Sequence, residues 1–242
     1  MCKFLSSFLK HDKNLQHYCI GFRDIIKMSY YVADKDYVVI MRKVGFCMKR
    51  LILVTSPPAC GKTYVSKELA KALNHVVYLD KDTLIVLSKQ IFKVANQPYN
   101  RSSDFFEENI RDFEYMAIVD LALEALDYED EVLINAPFTR EIRDMEYIAD
   151  LKEKLAEKNA RLSVVWVEAT PEICKERMIK RNSDRDTWKL EHWDEYIAGV
   201  NFDIPKELGN PEVKDDLVIF KNSSTEEFEQ SLKEIVALFE GK

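Results

Sequence analysis

The stretch "RLILVTSPPACGKTYVSKELAKAL", Arg50 to Leu73, decides how this sequence is read. "RLILVT" (50–55) is a continuous apolar run, as expected of a strand buried on both faces. Gly61 to Leu73 has helical spacing, with Val65, Leu69, Ala72 and Leu73 on one face. Between them, Ser56 to Thr63 reads S-P-P-A-C-G-K-T. A phosphate-binding loop is G-x-x-x-x-G-K-[ST] between a strand and a helix. Its backbone N–H groups point at phosphate, its Lys reaches the β/γ oxygens, and its hydroxyl meets Mg²⁺. Gly61, Lys62 and Thr63 match, and strand and helix lie where the motif requires. Ser56 stands in place of the first glycine. It fills the turn if its φ stays negative, or at a left-handed cost of ~1–2 kcal/mol. Pro57 and Pro58 stiffen the loop. Gly61 remains where backbone must approach phosphate most closely. The alternative is a chance Gly-Lys-Thr at a helix start, and the flanking elements argue against it.

Outward from the loop, strands and helices alternate. "HVVYLD" (75–80) is a second strand and 81–95 a helix. "NQPYNRSS" (96–103) is a turn-rich break, and 103–127 a long amphipathic helix with Ser103 as its cap. "EVLINA" (131–136) is a third strand, followed by a helix over 140–158. "RLSVVWVEA" (161–169) is a fourth strand, and 171–181 a helix opened by Pro171. After a polar Arg- and Trp-bearing segment come a fifth strand (216–220) and a closing helix (225–240). The expected fold is α/β: a five-stranded parallel sheet of the three-layer P-loop type, with helices on both faces.

The chain has 242 residues, 47% hydrophobic, enough for one sizeable α/β domain. A net charge of −7 makes it a poor non-specific binder of nucleic acid or anionic membrane. No apolar run approaches the ~18 residues of a membrane span. The five cysteines form no CxxC and read as reduced thiols of a cytoplasmic protein. His11, His17 and Cys19 match no zinc spacing. Residues 1–48 break the strand–helix rhythm, and Met48-Lys49-Arg50 resembles an ordinary protein start. The extension reads either as a genuine appendage or as an upstream start. In both cases the domain is expected over 49–242, so a chain beginning at Met48 should still fold and bind ATP.

The loop, its flanks and three later segments in order resemble the P-loop small-molecule kinases. This adenylate kinase-like phosphotransferase group includes shikimate kinase, chloramphenicol phosphotransferase, polynucleotide kinase, zeta toxin and AAA-type ATP-binding domains of bacterial kinases. The resemblance spans about 49–242. It implies ATP and Mg²⁺ as cofactors, with Ser56, Pro57, Pro58, Ala59, Cys60, Gly61, Lys62, Thr63 and Tyr64 around the phosphates. Ala59 stands where many such kinases have another glycine. In "YLDKDTL", Asp80 and Asp82 occupy the place of the group's metal and base carboxylates, with Thr63 and Asp80 toward Mg²⁺. A neutral hydroxyl must lose a proton as it attacks, which is work for Asp82. Asp82 can equally cap the following helix. In "VLINAPFTREIRD", Asn135 departs from the Asp that many P-loop proteins carry there. In "ATPEICKERMIKRNSDRDTWK", the resemblance gives Arg177 to adenine stacking, and Arg181 and Arg185 to a lid over about 181–193. Asn222 and Ser223 then lie on the adenine side.

The acceptor region is expected over about 97–114. Candidate acceptor contacts are Arg101, Arg111, Glu114, Arg140 and Arg143, with Tyr99, Asp104 and Phe105 nearby. Such a mixture suits a polyhydroxyl, nucleoside or sugar. The same Phe and Tyr spacing also suits a packed helix, and Arg140 and Arg143 also read as solvated helix charges. The implied reaction is transfer to a hydroxyl of a small molecule. Alternatives are a nucleotide-sugar kinase like zeta toxin, a polynucleotide kinase, or a regulator that hydrolyses ATP without transfer. A monomer or homodimer is expected. Cys60, beside Lys62 and a helix N-terminus, is expected to be an acidic thiol, shifted from ~8.5 toward or below 7.

Overall fold

The computed structural model describes residues 49–183, 186–205, 208 and 216–240. The extension, Arg185 and the ends of several loops lie outside them. The sheet is built from β1 (Lys49–Thr55), β2 (Val76–Asp80), β3 (Glu131–Asn135), β4 (Ala160–Glu168) and β5 (Leu217–Lys221). All neighbours are parallel, in the order β2-β3-β1-β4-β5. The connections leaving β1 and β3 therefore run to opposite sides of β1. That switch point opens a crevice at the carboxyl ends of the strands, where α/β sheets bind ligands.

Strand alternation separates two cores. Leu51 and Leu53 face one side, with Ile134, Val164 and Trp166. The helices there are α3 (Asp112–Ala125) and α4 (Met145–Glu157). Ile52 and Val54 face the other side, with Leu133, Val165 and Val167. They are covered by α1 (Lys62–Ala72), α5 (Pro171–Arg181) and α8 (Thr225–Glu240). Leu51 to Val54 are each 0% exposed, which is why β1 reads as an unbroken apolar run.

The helix boundaries refine the sequence reading. The 81–95 helix begins with a 3-10 turn, Lys81–Leu84, before α2 (Ile85–Val94). Asp80, not Asp82, caps it: the Asp80 carboxylate accepts the Asp82 N–H at 3.0 Å. The long helix starts where Ser103 accepts the Phe106 N–H. It then runs through a π-helical stretch, Glu107–Arg111, into α3. The polar Arg- and Trp-bearing segment after α5 holds two short helices, α6 (Thr187–Glu191) and α7 (Trp193–Gly199).

Candidate active site

The loop from Ser56 to Gly61 joins β1 to α1. Ser56 is buried and keeps a negative φ, and its hydroxyl donates to the Pro57 carbonyl at 2.8 Å. The left-handed residues are Ala59 (φ 65) and Gly61 (φ 91). Ser56 thus fills the turn without left-handed strain, and the non-glycine residue that carries it is Ala59. Gly61 is needed for a second reason: a Cβ there would lie 2.4 Å from Asn222 Nδ2. Asn222 Nδ2 and Arg177 Nη1 both donate to the Cys60 carbonyl, at 2.7 and 2.9 Å. Arg177 Nη2 also reaches the Asn222 carbonyl at 2.6 Å. Asn222 therefore supports the loop through its side chain, and its carbonyl holds Arg177. Arg177 links the loop, α5 and the turn after β5. Ser223 accepts the Thr170 N–H at 3.2 Å, and exposed Tyr64 packs on Phe228 with ring centroids 5.1 Å apart. A Gly61→Ala variant should lose ATP affinity by tenfold or more, measurable by titration, because left-handed strain of ~1–2 kcal/mol adds to the clash.

At the strand ends, register assembles the polar centre. Asn135 pairs with Val54 on one side and Asp80 on the other. Asn135 Oδ1 accepts from Lys62 Nζ at 2.6 Å and from Ser66 Oγ at 3.3 Å. Its Nδ2 donates to Asp80 Oδ2 at 2.9 Å, with Thr63 Oγ1 at 3.4 Å. Tyr78 donates its hydroxyl to the same Asp80 oxygen at 2.9 Å. Burial and the neighbouring Asp80 push the Tyr78 hydroxyl well above the usual tyrosine range, so it remains a donor. Asn135 is buried, joins Lys62 to Asp80, and adds no charge of its own. Asp82, two residues beyond Asp80, is exposed. Sequence reasoning overlooked Tyr78 and Ser66. The signal was present: in a strand, Tyr78 and Asp80 share a face, and in a helix Ser66 sits one turn after Lys62.

Thr63 and Asp80 present a hydroxyl and a carboxylate on either side of the Asn135 amide. Hard oxygen donors of this kind fit Mg²⁺, which needs one or two protein oxygens beside phosphate and water. No cluster of three or more His, Cys, Asp or Glu occurs among the described residues, so a tighter all-protein metal cage is absent among them.

Two expectations are corrected here. Cys60 is not an acidic thiol. It is 1% exposed, its sulfur lies 3.5 Å from that of Cys174, and this hydrogen bond together with burial pushes it far upward. Arg101 and Glu114 do not stand ready for an acceptor. Glu114 is buried and accepts Arg101 at 2.7 and 2.8 Å, Lys81 at 2.5 Å, and the Ser88 hydroxyl. Burial raises the Glu114 carboxyl, but bonds from Arg101, Lys81 and Ser88 outweigh it and hold it below the usual range. Tyr99 and Phe105 pack on Phe92 in a small separate core.

The other candidate arginines divide. Arg111 pairs with Glu141 at 2.5 Å, and Arg140 with Glu107 at 2.7 Å. Both line a cavity of about 420 Å³ between α3 and α4, with Tyr115 and Glu141. Arg143 donates to the Thr139 and Asp203 carbonyls and lies over the Trp166 ring, away from that cavity's lining. At the end of α5, Arg181 Nε bonds Asp186 at 2.8 Å, and Asp186 is fully buried. A second cavity, of about 400 Å³, is bordered by Pro57, Cys60, Thr170 and Ser223.

No helix among the described residues is long and apolar enough to cross a membrane. No curated protein matches the chain. Solved structures do. A candidate kinase from Chloroflexus aurantiacus aligns at 19% identity and TM-score 0.55, covering 80% of this chain and 98% of its own. APE1195 aligns at 18% identity and TM-score 0.53, covering 81% and 97%. A gluconokinase from Sinorhizobium meliloti aligns at 16% identity and TM-score 0.47, covering 81% and 95%. The five-stranded parallel sheet with its flanking helices is a P-loop kinase fold. The AAA domain family model matches residues 51–202, from β1 to just beyond α7, and the chain belongs to that family.

Proposed function

We propose that this protein is a Mg·ATP-dependent phosphotransferase that moves the γ-phosphoryl group to a hydroxyl of a small molecule. The observation that carries the reading is the Asn135 centre. Lys62 and Asp80 are held 2.6 and 2.9 Å from one buried amide, with exposed Asp82 just beyond. Such transfers depend on positioning and charge neutralisation more than on covalent chemistry. Lys62 is aimed by Asn135 toward the β/γ oxygens. The backbone from Ser56 to Gly61 cradles the phosphates, and the N-terminus of α1 adds its dipole. Thr63 and Asp80 would hold Mg²⁺, which when bound neutralises charge on the β and γ oxygens. Asp80 keeps its orientation through Tyr78 and Asn135. Asp82 receives the acceptor's proton. Arg177, Tyr64, Asn222 and Ser223 border the adenine side, and Arg181 is the lid candidate within the described residues, with Arg185 outside them. Arg111 and Arg140 are the acceptor-side candidates that reach a cavity, which favours a polyhydroxyl, nucleoside or sugar.

ADP release is the test, measured with Mg·ATP across a library of sugars, polyols, nucleosides and other hydroxyl metabolites. One compound that stimulates ADP release and leaves the assay phosphorylated supports the proposal. ADP release that no acceptor changes would instead favour an ATP-hydrolysing regulator.

A further inference from the structure

Behind the loop, two thiols face each other. Cys60 lies in the loop and Cys174 in α5; they are 1% and 0% exposed, and their sulfurs are 3.5 Å apart. Val54, Val65 and Val167 share their apolar cluster. One thiol belongs to the segment that would cradle phosphate, and the other to the helix that carries Arg177. The polar centre around Asn135 uses neither.

We propose that Cys60 and Cys174 form a reversible disulfide that lowers nucleotide affinity, with a hydroperoxide as oxidant. This rests on the nucleotide-binding reading above. A disulfide needs ~2.05 Å between sulfurs, so the pair must close by roughly 1.5 Å. Helix α5 yields little: Thr170 caps it, Pro171 opens it, and Met178 anchors it in the core. The movement therefore falls on the loop. The Cys60 carbonyl is held by Arg177 and Asn222, and Gly61 already packs against Asn222. Pulling the Cys60 side chain rotates the peptide joining it to Gly61. That peptide belongs to the row of N–H groups that should face phosphate.

Access comes at Cys60 and reactivity at Cys174, whose sulfur lies 3.5 Å behind it. Cys60 borders the cavity of about 400 Å³ that Pro57 and Ser223 line, which is wide enough for hydrogen peroxide. Either sulfur can donate the hydrogen bond between them; given from Cys60, it holds Cys174 below the usual thiol range against burial, and the Arg177 charge adds to it. A thiolate attacks one peroxide oxygen, the O–O bond breaks, and hydroxide leaves and is protonated to water. The second thiol then attacks the sulfenic sulfur, the S–S bond forms, and a second water leaves. Two thiols lose two protons and two electrons, and one peroxide gains them. Linkage makes the effect reciprocal: if the disulfide weakens ATP binding tenfold, saturating ATP makes the disulfide tenfold harder to form. For this two-electron couple, tenfold corresponds to about 30 mV.

The test uses the full chain, reduced and then treated with hydrogen peroxide with and without Mg·ATP. Non-reducing peptide mapping reads the pairing, and ATP titration reads affinity. The expected result is a Cys60–Cys174 linked peptide, a fall in ATP affinity of about tenfold, and recovery with dithiothreitol. ATP should slow the linkage. Cys174→Ala should bind ATP when reduced and lose the peroxide response; if it does not fold, Cys174→Ser takes its place, and mapping of the unaltered chain stands alone. Absence of the linked peptide, or a linked peptide with unchanged affinity, overturns the proposal. A reduced protein that binds no ATP sinks the functional reading instead, whereas one that binds ATP but neither links nor responds sinks this inference alone.

Discussion

Replacing Asp82 with Asn should abolish phosphoryl transfer while leaving ATP binding nearly unchanged. Asp82 is exposed, and among the described residues no side chain pairs with its carboxylate, so its loss disturbs little of the fold. A positioned base contributes ~10²–10⁴-fold, and its loss should show in the rate with acceptor and not in nucleotide affinity. Asp80→Asn should behave differently. Asp80 accepts from Tyr78, Asn135 and the Asp82 N–H, so the change disturbs the 3-10 turn and the Thr63 side together. The Mg²⁺ requirement should rise along with the loss of rate. Lys62→Ala, which removes the charge that Asn135 aims, should cost ~10²-fold or more. Rates measured across a Mg²⁺ series separate the variants. The assignment is reversed if Asp82→Asn shifts the Mg²⁺ requirement and Asp80→Asn changes only the chemical step. Full activity in both removes the pair from the mechanism.

The largest effect on stability is expected from Glu114→Ala. Lys81 has only 4% of its side chain exposed, and Arg101 25%, and both depend on this one carboxylate. Removing one partner of a buried ion pair leaves uncompensated charge and costs ~3–5 kcal/mol. For a domain of this size that is a fall in Tm of about 10 °C or more. Replacing Lys81, Arg101 and Glu114 together by apolar residues should recover much of the loss, because no buried charge is stranded. The pH dependence follows in sign. The Glu114 carboxyl is depressed in the folded state, so its stabilisation is complete above the unfolded value of ~4.3 and disappears as pH falls through the folded one. Thermal denaturation of both variants at neutral and acidic pH checks this. A Glu114→Ala protein as stable as the unaltered chain would mean that water reaches Lys81 and Arg101 and replaces the carboxylate.

The fold was legible because its signals are local. An apolar run such as "LILV" (51–54) means burial on both faces, the spacing of Val65 and Leu69 means a one-sided helix, and Gly-Lys-Thr at their junction means an anion-binding helix start. Parallel pairing follows from the alternation of strands and helices. The strand order and register do not: no local property of "EVLIN" (131–135) states that it inserts between β1 and β2. That insertion turns Asn135 from a missing aspartate into the residue that joins Lys62 to Asp80.

The errors have the same origin. In sequence, Cys60 is a thiol near a lysine and a helix N-terminus, and electrostatics along the chain predict acidity. In the fold, its neighbour is Cys174, 114 positions away, and burial with that hydrogen bond reverses the direction. Arg101 and Glu114 read as surface charges for a ligand until the chain returns and places Lys81 and Ser88 around the carboxylate. The sequence by itself determined the strand–loop–helix unit, the alternating α/β architecture and the residue types able to meet phosphate, all set by backbone preference and hydrophobic period over a few residues. Only the tertiary structure decided which charges neutralise one another inside the protein and which remain for a ligand, because burial and pairing are settled by residues distant in the chain.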